Sequence, residues 1–149
     1  MEAHLENSPE VIHREVARLG ELFGTRDKAE RFLLEFDAEY ARLSTAVREH
    51  FATRGNRAVA QVFMTMWADF AGLELTGAFG PGPLQPGELL RLSAQKPDIV
   101  LDNAHMPTGA PIAEAAETDL VQLINFPGPG MDLLDVFREN ARVLMGVNP

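Results

Sequence analysis

The sequence predicts an α/β protein: a helical amino-terminal segment with a long spine helix, followed by a small, mainly parallel four-stranded sheet flanked by helices. Three observations predict it. Apolar residues recur at helical spacing through most of residues 8–53. Beyond Gly55, short apolar runs alternate with amphipathic ones, the pattern of strands joined through helical crossovers. Glycine and proline separate these runs, most densely in Gly77–Gly87 (GAFGPGPLQPG).

The elements follow in order. Residues 8–24 read as a helix, with Ser8 as N-cap, Pro9 at the first helical position, and Val11, Ile12, Val16, Leu19, Leu22 and Phe23 on one side. Gly24 is the expected stop. Thr25 caps a second helix, Arg26–Thr53, whose stripe runs Phe32, Leu33, Phe36, Tyr40, Leu43, Val47 and Phe51. Its 28 residues would extend about 42 Å at 1.5 Å per residue, longer than one small domain is wide. The stripe is broad and aromatic, not a strict heptad, which favours a strut joining two lobes over a coiled coil. Next come a strand at Ala58–Met64, a short helix at Trp67–Ala71, a strand at Leu73–Thr76 and the Gly77–Gly87 loop. A helix at Pro86–Gln95, a strand at Asp98–Asp102, a helix at Ala110–Ala116, a strand at Val121–Asn125 and a helix at Met131–Met145 complete the chain. The expected division is therefore a helical segment, 1–55, and an α/β lobe, 56–149.

Composition narrows the function. The chain has 149 residues, 46% hydrophobic and 23% charged, which is one domain's worth of globular sequence. It contains no cysteine, which excludes disulfide frameworks, thiol catalysis and cysteine-held zinc. A net charge of −9 opposes nucleic-acid binding, which needs a basic footprint. No apolar run approaches the ~18 residues of a membrane span. Met1–Glu10 lacks the basic and apolar regions of a secretory leader.

In an open parallel sheet, ligands sit outside the carboxyl ends of the strands. That places three segments at the expected site. Asp102-Asn103-Ala104-His105-Met106-Pro107-Thr108-Gly109 offers carboxylate, amide, imidazole and thioether directly after a strand. Asp102 and His105 are the candidate metal ligands, although Asp and Asn after a strand also cap turns. Gln61-Val62-Phe63-Met64-Thr65-Met66-Trp67 places Gln61, Met64, Met66 and Trp67 at a strand end. Its methionines suit a soft metal or an adaptable apolar wall, or else fill the core. Asn125-Phe126-Pro127-Gly128-Pro129-Gly130 presents an amide, Asn125, on a rigid turn. Asn103, His105 and Asn125 join the first group as candidate ligand-binding residues. No dinucleotide, P-loop, metalloprotease or nucleophile-elbow motif occurs, and no nucleophile–base pair can be built. His4, His13 and His50 are scattered and read as tail or surface-helix residues.

The order of features resembles the carboxy-terminal lobe and connecting helix of ABC-transporter solute-binding proteins with a helical backbone. This is the group of TroA-like metal-binding and siderophore- or cobalamin-binding proteins. SPEVIHREVARLGELFGTRDKAERFLLEFDAEYARL is similar to the lead-in to the spine helix, KPDIVLDNAHMPTGAPIAEAAETDLVQLINFPG to the strand–helix–strand of the lobe, and DLLDVFRENARVLM to the final helix. The resemblance implies a non-enzymatic, extracytoplasmic protein. It would capture a divalent metal ion or a metal chelate such as a siderophore, haem or cobalamin, and pass it to an ABC permease. It also implies an amino-terminal lobe that this chain does not contain. Rim charges such as Glu88 and Glu114 would face the permease. Asp102 matches the group's carboxylate position. The histidine expected near Gln61–Met64 and the aspartate expected at Asn125-Phe126-Pro127 do not match. A second reading is a free-standing α/β interaction domain that dimerises through the Phe32/Phe36/Tyr40/Leu43 stripe.

Overall fold

A computed structural model describes residues 7–146; His4 and the first residues of the Met1–Glu10 segment lie outside them. The described chain divides into two compact units on either side of Arg42/Leu43.

The first unit holds α1 (Pro9–Leu22) and most of α2 (Arg26–Phe51). Ser8 caps α1, its hydroxyl accepting from the Val11 amide at 3.4 Å. Gly24 takes φ +65°, and the chain turns so tightly there that a Cβ on Gly20 would stand 2.7 Å from Ala29 Cβ. Gly20 therefore lets the two helices meet. Phe36 is fully buried, with the rings of His13, Phe32 and Tyr40 around it. His13 also pairs with Asp37 across the hairpin at 2.6 Å. The α2 helix ends two residues before the sequence expectation, and its 26 residues rise about 39 Å. The stripe proposed for dimerisation is not a free surface: Phe36 and Leu43 are buried and Phe32 and Tyr40 half-buried.

The second unit is a four-stranded, wholly parallel sheet in the order β2-β1-β3-β4, formed by β1 (Arg57–Gln61), β2 (Glu74–Phe79), β3 (Ile99–Asn103) and β4 (Asp119–Leu123). The helices are α3 (Thr65–Ala71), α4 (Pro86–Ser93), α5 (Ala110–Ala116) and α6 (Leu133–Met145). From β1 the chain crosses through α3 to one side, and from β3 through α5 to the other. Right-handed crossovers thus put α3 and α5 on opposite faces. Val59, Phe79, Leu92, Val100, Ile112 and Ala113 form the core under α4 and α5. The alternate positions Ala58, Ala60 and Leu101 face the other way, toward the side covered by α3 and α6. There Trp67 packs edge-on to Phe70 and 5.0 Å from Phe137.

The third and fourth strands shift by one and two residues from the sequence expectation, and the first two end three residues away from it, each for a local reason. The β1 strand stops at Gln61 because its side-chain oxygen accepts from the Phe63 amide and starts a 3-10 turn, Val62–Met64. Apolarity alone could not separate that turn from strand. The β2 strand instead continues to Phe79, through Gly77, which sequence reading placed in a loop. A Cβ at Gly77 would meet Leu92 Cδ2 at 2.7 Å, so the glycine is there to admit α4. Thr76 is the extra residue of a bulge against Ala58/Val59, and its hydroxyl donates to the Ala58 carbonyl at 3.3 Å.

Candidate functional site

Chain direction diverges between β1 and β3, so the sheet's crevice lies at their carboxyl ends. Gln61 and Asn103 are the last residues of these strands. The Gln61 amide donates across the crevice to the Met106 carbonyl at 3.2 Å. The loop after β4 joins from the other side, with the Phe126 ring 5.7 Å from that of His105. Three loops thus form one continuous surface.

The loop after β3 is organised by Asp102. Its carboxylate, fully buried, accepts from the amides of Asn103 at 2.9 Å, Thr108 at 3.0 Å and Gly109 at 2.8 Å. Asn103, also buried, accepts from the His105 amide at 2.9 Å in an Asx turn. Gly109 closes the loop against the sheet: a Cβ there would lie 3.0–3.1 Å from Phe79, Asp102 and Val100. The loop after β4 is fixed from α6. Asn140, buried, donates to the Ile124 carbonyl at 2.8 Å and accepts from its amide at 2.9 Å. Asn140 was missed by sequence reading because an asparagine within an amphipathic helix looks like an ordinary surface residue.

The residues expected at the site fall into three groups. His105 is exposed and Met66 half-buried, while Asn125 is buried at the start of the β4 loop. Gln61, Asp102 and Asn103 are buried; Gln61 ties the end of β1 to the loop after β3, and Asp102 and Asn103 hold that loop's own backbone. Met64 and Trp67 are fully buried beneath the surface. Among the described residues, no three His, Asp or Glu side chains come together as a metal cluster.

The surface also carries apolar side chains beyond the residues expected to contact a ligand. Val62, Phe63, Met106 and Phe126 are between 39% and 46% exposed, on the loops after β1, β3 and β4. Residues 62–68, 80–87, 104–111 and 124–131, which follow the four strands, include no Asp, Glu, Lys or Arg in a chain that is 23% charged. Seven of the ten prolines fall in the same segments, which limits the backbone freedom a ligand would have to freeze. The signal was legible: uncharged blocks recur after each strand, and the three after β2, β3 and β4 are proline-rich. It emerges only when the strands are known to be parallel, so that all four blocks share one end.

Neither a family model nor a curated protein matches the sequence. Solved structures do. The chain is similar to a laminin-binding adhesin (Lmb) of Streptococcus agalactiae, at 17% identity and a TM-score of 0.62. The match covers 87% of this chain and 55% of that one. It is similar to Zn(II)-bound AdcAII of Streptococcus pneumoniae, at 15% identity and a TM-score of 0.63, over 95% of this chain and 57% of the other. A third likeness is to the SBP FpvC of Pseudomonas aeruginosa in complex with nickel, at 15% identity and a TM-score of 0.61, over 87% and 54% of the two chains. The chain therefore has the fold of one part of these proteins and spans a little over half their length.

Proposed function

We propose that this chain is the ligand-capturing lobe, with its connecting helix, of a solute-binding protein serving an ABC importer. The observation that carries the reading is the likeness to metal-bound proteins over nearly the whole chain but only about half of theirs. A related Lmb structure is described as a bifunctional protein with adhesin and metal-transporting activity. The cargo is a metal ion or a metal chelate, and the place of action is extracytoplasmic. The protein performs no chemistry on its cargo.

Capture works by shape and donor placement. His105 is the primary contact, with Asn125 and Met66 beside it. Gln61, Asp102 and Asn103 hold the loops that present them, and Met64 and Trp67 brace the surface from below. Rigid loops reduce the entropy lost on binding. A second lobe would close over the cargo, and an ABC permease would read the closed form. The test is thermal unfolding of the purified chain with Zn(II), Mn(II), Ni(II), Cu(I), a ferric siderophore, haem and cobalamin. A saturable rise in Tm with at least one of these, lost in His105→Ala, is expected. No rise with any of them overturns the reading.

A further inference from the structure

The donor side chains on the loops at the sheet's carboxyl end differ in kind from those a hard divalent ion requires. Met66, Met106 and Met131 lie on the loops after β1, β3 and β4, three of the six methionines of the chain. Met106 is 44% exposed, and Met66 and Met131 are half-buried. The loops bearing them abut. Gln61 ties the end of β1 to the Met106 carbonyl, and Phe126 ties the β4 loop to His105. Within the β4 loop, the Met131 amide donates to the Gly128 carbonyl at 3.0 Å, and its sulfur would stand 3.5 Å from a Cβ on Gly128.

His105 adds the fourth donor. Its backbone is fixed by Asn103, and neither ring nitrogen has a hydrogen-bond partner among the described residues. The one carboxylate within the segment, Asp102, is occupied by backbone amides. These four donors are thus all neutral, and three of them are polarisable sulfur.

A doubly charged ion held by these four side chains would have no anionic ligand to offset the loss of its hydration shell. Thioether and imidazole donors suit a soft, singly charged ion, whose transfer into apolar surroundings costs far less. We propose that the surface around His105, Met66, Met106 and Met131 is a binding site for a soft monovalent cation of the copper(I) class. This rests on the capture reading above and names its cargo.

The absence of cysteine makes the test clean, because no thiol competes for the metal. The purified chain is titrated anaerobically with Cu(I) against bicinchoninate, with Zn(II) and Mn(II) titrated in parallel. One Cu(I) per chain is expected, held more tightly than either divalent ion. Met66→Leu, Met106→Leu and Met131→Leu preserve volume. Combined, they should weaken Cu(I) by about tenfold or more, the scale on which metal sites respond to altered contacts, with Tm of the metal-free protein little changed. His105→Ala should weaken it similarly. Sub-stoichiometric Cu(I) binding, or affinity unaltered by the triple substitution, overturns the soft-cation site. If Zn(II), Mn(II) or a ferric chelate binds through His105 while Cu(I) does not, the site assignment falls and the capture reading stands. If nothing binds, both fall.

Discussion

A buried carboxylate that follows a parallel strand has two uses, and Asp102 illustrates how geometry chooses between them. Its oxygens face the amides of residues 103, 108 and 109, so its charge is spent shaping the loop that carries His105. Asp102→Asn would replace one acceptor by an amide donor pointed at backbone donors. Loss of charged hydrogen bonds of this kind costs about 2–3 kcal/mol, and urea denaturation should show a fall of that size. Asn140 makes a comparable argument without charge. Asn140→Leu removes both side-chain hydrogen bonds to Ile124, and leaving these part-buried backbone groups unpaired should cost about 1–2 kcal/mol by the same measurement. The substitution should also weaken binding at the β4 loop, since Ile124 leads directly into Asn125 and Phe126.

Among the elements, α6 has the most explicit electrostatic design. Asp132 and Asp135 form a capping box, each side chain accepting from the other's amide at 2.9–3.0 Å. The Asp132 amide, and then the Arg138 guanidinium, hold the Asp135 carboxyl below its ordinary range. Arg142 does the same to Glu139 one turn on, and is itself raised by the pairing. A carboxyl depressed in the folded state stabilises the fold above its unfolded pKa of about 4, and that contribution is lost as pH falls through the lowered folded value. Tm should therefore decline on acidification through this window, and Asp135→Asn should flatten the decline. In β2, Gly77→Ala would press a methyl group on Leu92. Overpacking of this kind typically costs about 1–3 kcal/mol, and thermal unfolding should register it as a lowered Tm.

At the scale of the molecule, the sheet sets a gradient of stability. The β1 and β3 strands are paired on both sides and almost fully buried, whereas β2 and β4 each have a free edge. Hydrogen exchange should be slowest in Ala58–Ala60 and Ile99–Leu101, and faster in β2 and β4. Equal protection across all four strands would contradict this order. The sequence by itself determined the fold class, the order of the elements and the Ala110–Ala116 helix to the residue, because periodicity, caps and Gly/Pro punctuation are local properties. It also located the three loops of the candidate site, because a parallel sheet has one ligand-bearing end. Only tertiary structure decided which of their side chains are available. Whether Asp102 faces a ligand or its own loop, whether Met64 and Trp67 face up or down, and whether Gly77 lies in loop or strand all depend on groups distant in the chain. Neighbours such as Leu92, Asn140 and Phe137 reach those positions only once the sheet has assembled, and no local pattern records where they will stand.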